Sequence, residues 1–372
     1  MKILFAQTNY PGFLEEFYRG FDDLDNINYM QIMSRWAEEL FGTSNFYSKN
    51  LRVYGVDAKE IIMNDWNSQS KWAKENGLSI SQIPIPFSKH IPEMVKNTLG
   101  LREWIKKITF AQIEDYKPDI LYLHDLSIMN SNDIRKLKNI VKLVAGQIAC
   151  PLPINRDPLK HYGLIISSFP HYVEMFNKQG VNSEYLKWCI DGDIPKLIGK
   201  KKRENNVSYV GGLTLSHKTG NRTLEQLATR MNVDFWGYGE GSLSSKSPIL
   251  KTFHGHAWGR QMYDVFARSK IVINRHIDVA KNYANNMRMF EATGMGALLI
   301  TDEKKNMEEF FKVDKEVVTY KNPTDLIKKA KYYLNHPKEA AEIAKAGQDR
   351  TLREHTYKNR MKELKGIFEK YL

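Results

Sequence analysis

The chain has only two cysteines in 372 residues, Cys150 and Cys189. That excludes a disulfide framework and a cysteine-rich metal site, and it fits a reducing cytoplasm. No apolar run approaches the roughly 18–20 residues that cross a bilayer. The start, Met1-Lys2-Ile3-Leu4-Phe5-Ala6, passes directly into Gln7, Thr8 and Asn9. It is too short for a signal-peptide apolar region and reads as a first buried strand. Glycine and proline are scattered rather than clustered, which excludes a long disordered span. Absent too are a Gly-Lys-Ser/Thr phosphate loop, a Gly-x-Gly-x-x-Gly fingerprint and any short internal repeat. With no helix-turn-helix, RNP-like aromatic motif or zinc finger, no nucleic-acid partner is expected.

The chain is 42% hydrophobic and long enough for two ordinary cores. Its formal charge of +12 and pI near 9.3 fit an anionic partner, such as a nucleoside diphosphate, nucleic acid or an acidic membrane face. Plain solubility explains the charge equally well. The densest basic run, Lys200–Arg203, reads as a solvated linker.

Short apolar runs alternate with helical stretches, the pattern of doubly wound α/β sheets. Strands are predicted at Ile3–Ala6, Ile61–Met63, Ile120–His124, Leu143–Gln147 and Leu164–Ser167. A helix is predicted over Met94–Tyr116, from Leu99, Trp104, Ile108 and Ile113. After a weakly structured stretch at Asp191–Asn206, a second series follows. Its strands are predicted at Val207–Val210, Val233–Trp236, Ile271–Asn274, Ala297–Thr301 and Val317–Tyr320. Helices are expected at Thr223–Met231 and Gln261–Ser269, then from Pro323 and from Pro337. The economical division is residues 1–190, residues 191–355 and a basic amphipathic helix over 356–372.

Sheets of this kind bind ligands beyond the carboxyl ends of their strands. After the first strand, Tyr10, Pro11 and Gly12 form a turn whose free N–H groups can receive an anion, or an ordinary strand–helix turn. His124 and Asp125 end the cleanest strand and are the candidate catalytic pair. The imidazole there can act as a base, donate to a hydroxyl or phosphate, or simply be a satisfied histidine at a sheet edge. Gly211 and Gly212 allow close backbone approach, with Lys218 and Arg222 placed to neutralise a diphosphate. Gly237 and Tyr238 end the next strand, where a flat base can pack or a glycine-rich turn can form. Asn274 closes a further strand. Asn285 and Asn286 open a helix, Arg288 lies one turn in, and Glu291 shares its face. Glu291 can accept two ribose hydroxyls, or be a surface carboxylate paired with Arg288. Asp23-Leu24-Asp25 lacks a preceding buried strand, so no metal site is expected there.

Taken together, Tyr209–Gly212, Ser269–Asn274, Arg288–Gly294, Gly296–Asp302 and His355-Thr356-Tyr357 with Arg360 resemble the donor-binding half of group-1 glycosyltransferases. The particular likeness is to the spore-maturation, CgeB-like branch. The resemblance covers about residues 205–365 and implies a GT-B fold, two Rossmann-like domains facing each other across a cleft. It implies a UDP-, GDP- or dTDP-linked sugar as donor substrate, no cofactor and no metal. Glu291 matches the second Glu of the family's Glu-x7-Glu pattern; the first falls at Tyr283, leaving Asn282, Asn285 or Asn286 as sugar contacts. The implied acceptor is a cell-surface glycan or lipid-linked molecule, met by the first domain at the inner face of the membrane. The aromatic, Lys-bearing tail can touch an anionic bilayer or pack across both domains. The other readings are a nucleotide-sugar epimerase of the same fold, or a non-enzymatic basic module binding nucleic acid or anionic membrane.

Overall fold

The computed structural model describes residues 1–80 and 103–372. Its first sheet comprises β1 (Lys2–Gln7), β2 (Asp57–Ile62), β3 (Ile120–Leu123), β4 (Leu143–Ile148), β5 (Leu164–Ser167) and β6 (Ser183–Tyr185). The order is β2-β1-β3-β4-β5-β6, and every pairing is parallel. A second sheet, also parallel, comprises β7 (Asn205–Gly212), β8 (Asp234–Tyr238), β9 (Ser269–Asn274), β10 (Leu298–Asp302) and β11 (Val318–Tyr320). Its order is β11-β10-β9-β7-β8. Helices connect the strands and cover both faces, so β3 is buried along its whole length. That explains its unbroken run of apolar side chains.

All ten predicted strands are present, with ends shifted by a few residues. β6 was not foreseen: it is three residues long and carries no apolar run to announce it. Of the predicted helix Met94–Tyr116, the described part runs Glu103–Tyr116, with Trp104, Ile108 and Ile113 buried; residues 94–102, including Leu99, lie outside the described residues.

The stretch 191–206 is more ordered than expected. It contains the short helix Ile194–Ile198, with Ile194 buried and Gly199 at φ +75° closing it. Nor is the basic run wholly solvated. Arg203 is half-buried and donates to four carbonyls, those of Phe266, Ser269, Met295 and Gly296, at 2.6–3.0 Å. One guanidinium thereby satisfies the ends of two segments that lead into β9 and β10.

The chain crosses between the sheets at one place. Ile190 and Thr356 form a parallel bridge, with Ile190 N donating to His355 O at 3.0 Å and Tyr357 N to Ile190 O at 2.9 Å. Beyond it, the helix Tyr357–Tyr371 returns to the first sheet and buries Tyr357, Met361, Leu364 and Phe368. Tyr357 meets the rings of Phe46 and Tyr47 at 5.1 and 5.4 Å, and Phe368 meets Tyr122 at 5.9 Å. The apolar face expected to touch either a bilayer or the protein is therefore spent on the protein. Among the described residues no helix is long and apolar enough to cross a membrane.

Truncating Phe368, which is fully buried, removes a large ring from this seam. We predict that Phe368→Ala lowers unfolding free energy by about 3–5 kcal/mol. In hydrogen exchange, the deprotection should include the helix Phe46–Arg52, against which the carboxyl-terminal helix packs.

Candidate functional site

Each sheet changes winding direction once, between β1 and β3 in the first and between β7 and β9 in the second. Loops leaving such neighbouring strands diverge and leave a crevice. Both crevices are present. The first, about 490 Å³, is lined by Thr8 and Tyr10 after β1, His124 and Asp125 after β3, Gln147 near the end of β4, and Met287 from the other domain.

His124 sits in an aromatic box, 6.2 Å from Phe5, 5.1 Å from Tyr47 and 5.0 Å from Tyr122. Its Nε2 is buried and has no partner. Burial pushes its pKa down to about 3. A ring that resists protonation this strongly favours the neutral hydrogen-bonding alternative over the base. Asp125 is half-buried; it accepts from Ser127 N at 2.9 Å, Ser127 Oγ at 2.6 Å and Thr8 Oγ1 at 3.4 Å.

The Tyr10-Pro11-Gly12 turn opens a helix. Pro11 begins the helix Pro11–Arg19, and Tyr10 caps it without a side-chain bond. The nearby amide of Asn9 is taken by Asn64 Oδ1 at 2.9 Å. What the turn offers is a contact across the cleft. The Tyr10 ring lies 5.1 Å from Tyr238 and 5.9 Å from Trp258, and the two tyrosine hydroxyls are 3.5 Å apart.

In the second domain the glycines serve the protein's own packing. A Cβ on Gly237, at φ +143°, would stand 1.9 Å from Gly211 O. One on Gly211 would meet Tyr209 Oη at 2.7 Å, and one on Gly212 would meet His217 and Tyr238 at 3.0–3.1 Å. Close approach is thus real, but protein atoms crowd these sites. Lys218 opens the helix Lys218–Ala228, five residues earlier than the start expected at Thr223, and Arg222 is exposed on it.

The helix Met287–Gly294 is capped by Asn286, whose Oδ1 accepts from Met289 N; its Nδ2 donates to Asn274 Oδ1 at 2.8 Å and Arg275 O at 3.1 Å. Asn274 in turn donates to Thr301 Oγ1 at 2.9 Å. Both side chains are engaged within the loop itself. Asn285 differs: it is buried, and neither amide atom has a partner. Arg288 donates Nη1 to Glu291 Oε2 and Nε to Val210 O at 3.0 Å. Glu291 is only 2% exposed, and Tyr263 Oη stands 3.4 Å from its other oxygen. The pairing that reads as a surface contact in sequence exists, but it is buried at the end of β7.

The second crevice, about 830 Å³, lies at the carboxyl ends of β9, β10 and β11. Of the residues singled out from sequence as donor contacts, Asn282 alone lines it. Its cations include Arg275, Lys281, Lys304, Lys305 and Lys321. Beneath it, Asp302 takes His276 Nδ1 at 2.6 Å and Lys304 Nζ at 3.0 Å. Burial alone would raise the Asp302 carboxyl; His276 and Lys304 outweigh it and hold it well below the usual range. Sequence pattern missed Arg275, although its place just after a predicted strand was a usable signal. Among the described residues, no group of three or more His, Cys, Asp or Glu is arranged to hold a metal ion.

Solved structures share this architecture over its full length. Sucrose-phosphate synthase from Thermosynechococcus elongatus aligns with a TM-score of 0.59 at 10% identity, covering 100% of this chain and 98% of that one. Anabaena Alr3699/HepE, in complex with UDP and glucose, aligns at 0.60 with 13% identity and 100% coverage of both. The fold is GT-B. T4 phage β-glucosyltransferase aligns on the same GT-B frame at 0.55, with 13% identity and coverage of 100% and 99%. Residues 218–366 match the family described as glycosyl transferase-like, so the second GT-B domain carries a glycosyltransferase-type sequence. No curated protein matches the chain in sequence.

The neutral His124 has a measurable consequence. Its folded pKa, about 3, lies below the ordinary value near 6.5. It therefore contributes full stability above about pH 6.5, and that contribution is lost as pH falls toward 3. Urea unfolding of His124→Asn at about pH 7 and about pH 4.5 should show a smaller acid loss than the parent. An equal loss in both proteins would place the charge penalty elsewhere.

Proposed function

We propose that the chain is a glycosyltransferase that moves a sugar from a nucleoside diphosphate donor to a hydroxyl of a glycan or lipid-linked acceptor, without a metal ion. The supporting observation is the position of Asn285–Glu291. Met287 lines the first crevice, the adjacent Asn285 carboxamide is buried and unpartnered, and Arg288 with Glu291 follows within one turn. Nucleotide-facing groups and an acceptor-sized hollow thus meet on one short segment.

In this reading Glu291 exchanges its weak 3.4 Å contact with Tyr263 for a ribose hydroxyl. Arg288 keeps Nη1 on Glu291 and turns Nη2 to the diphosphate, beside the amides that open the helix Met287–Gly294. Asn285 orients the sugar where the family's first carboxylate is replaced by Tyr283. The acceptor hydroxyl in the first crevice attacks the anomeric carbon, and the bond from that carbon to the phosphate oxygen breaks. Its electron pair leaves with the nucleoside diphosphate, where cationic and N–H groups receive the developing charge. Asp125 takes the hydroxyl proton, and neutral His124 holds the acceptor by hydrogen bonding. The binding of UDP and glucose by Alr3699/HepE supports a UDP-linked donor first, with GDP and dTDP next. The segments shared with group-1 enzymes favour the CgeB-like branch.

Thermal-shift screening against UDP, GDP and dTDP should give one clear stabiliser, since a ligand of the folded state raises its stability by mass action. With that donor, Arg288→Ala and Glu291→Gln should each lower kcat/KM by about 10²-fold. Asp125→Asn should lower kcat while leaving donor affinity in place. Unchanged turnover in all three would refute the assignment, and rapid donor conversion without any acceptor would indicate an epimerase.

A further inference from the structure

We propose that the crevice at the ends of β9–β11 is a second anion site, built for a terminal phosphate monoester and separate from the Arg288–Glu291 pair. Its charge is the first reason. Among its Arg, Lys, Asp and Glu, five cations face three carboxylates, Asp278, Asp302 and Glu303. Two positive charges remain, which matches a phosphate dianion. Asp302 is already committed to His276 and Lys304. Lys281, Lys305 and Lys321 are exposed, and among the described residues none of them forms an ion pair, although Glu174 lies close enough to Lys305 to feel its charge. Lys305 instead lies over the Tyr283 ring at 3.9 Å.

The second reason is Arg275. It is 7% exposed, with Nη2 on Gly212 O at 2.7 Å and on Asn221 Oδ1 at 2.8 Å, and with Nε buried and unpartnered. No carboxylate neutralises it. A buried guanidinium held only by neutral acceptors is costly unless an anion completes it. The neighbouring chain is cut to admit this side chain: a Cβ on Gly220 would stand 2.2 Å from Arg275 Cδ.

The third reason is two helix starts. Thr219 and Gly220 belong to the first turn of Lys218–Ala228, and Asn322 and Pro323 open Pro323–Asn335; all four line the crevice. The dipoles of both helices, and the first-turn N–H groups of Lys218–Ala228, add to the lysines; Pro323 has no N–H, and the Asp325 amide is taken by Asn322. Arg275 joins the crevice to the Gly212 turn, so an anion bound there steadies the end of β7 without occupying it.

The test uses the full chain and glycerol 3-phosphate as the probe, a dianion at about pH 7.5. By calorimetry it should bind the parent protein, and the double variant Lys305→Ala/Lys321→Ala should bind about tenfold more weakly. Both lysines are exposed, so folding is not at stake. Gly220→Ala, which displaces Arg275, should weaken the probe as well, with folding checked by circular dichroism. Stabilisation by the nucleoside diphosphate should stay the same in the lysine variant. Equal probe affinity in parent and double variant would overturn the proposal. So would a parallel loss of nucleotide binding, which would mean one shared site. Failure of every nucleotide to bind, with the probe pattern intact, would count against the transferase reading and leave this site standing.

Discussion

The hydrogen-bonded crossing at Ile190 and Thr356 is the constraint on which the rest depends. There the outgoing and returning strands of the chain run side by side, and the helix Tyr357–Tyr371 then sinks Tyr357 and Phe368 among the aromatics beneath the first sheet. A protein made of two separately closed sheets would otherwise be joined by one covalent linker, and its halves would sample many orientations. Two backbone bonds and a buried helix face restrict them to a common orientation. Only then do the carboxyl ends of β1 and β3 come to face the start of the helix Met287–Gly294.

Given that orientation, parallel winding does the remaining placement. Loops must diverge where the strand order reverses, so each sheet opens a hollow at one predictable location. The two hollows differ in character because their linings differ. Around the first are Tyr10, Phe41, Leu126 and Trp188, with few charges beyond Asp125. The second collects lysines and an arginine, with helix starts behind them. One chain thus presents a mostly apolar recess and a cationic one, divided by the segment from Arg275 to Met287.

How much of this was legible in the sequence depended on the range of the interaction. β3 could be read because burial on both faces writes a continuous apolar run, whereas β6 could not, since three residues with Glu184 half-exposed carry no period. The Asn285–Glu291 stretch stood out because a cap, a cation and a carboxylate fall within two turns. The role of Arg203 was hidden: its four carbonyl partners lie 63 to 93 residues away. So was the reason for Gly220, which makes room for Arg275, 55 positions later. Glu291 was read as either a ribose ligand or a surface partner of Arg288. The fold buries the carboxylate beneath a half-buried Arg288, a placement that no local pattern distinguishes.

The aromatic contact of Tyr10 with Tyr238 and Trp258 is backed by a backbone bond between the domains, Arg260 N donating to Glu39 O at 2.9 Å. Stacked rings re-form at little entropic cost because each has only two rotatable side-chain bonds, but parting them here also breaks that backbone bond. The domains are thus joined at two seams, a doubled backbone crossing at Ile190 and Thr356 and a ring stack backed by the carbonyl of Glu39, and any relative rotation must strain one of them.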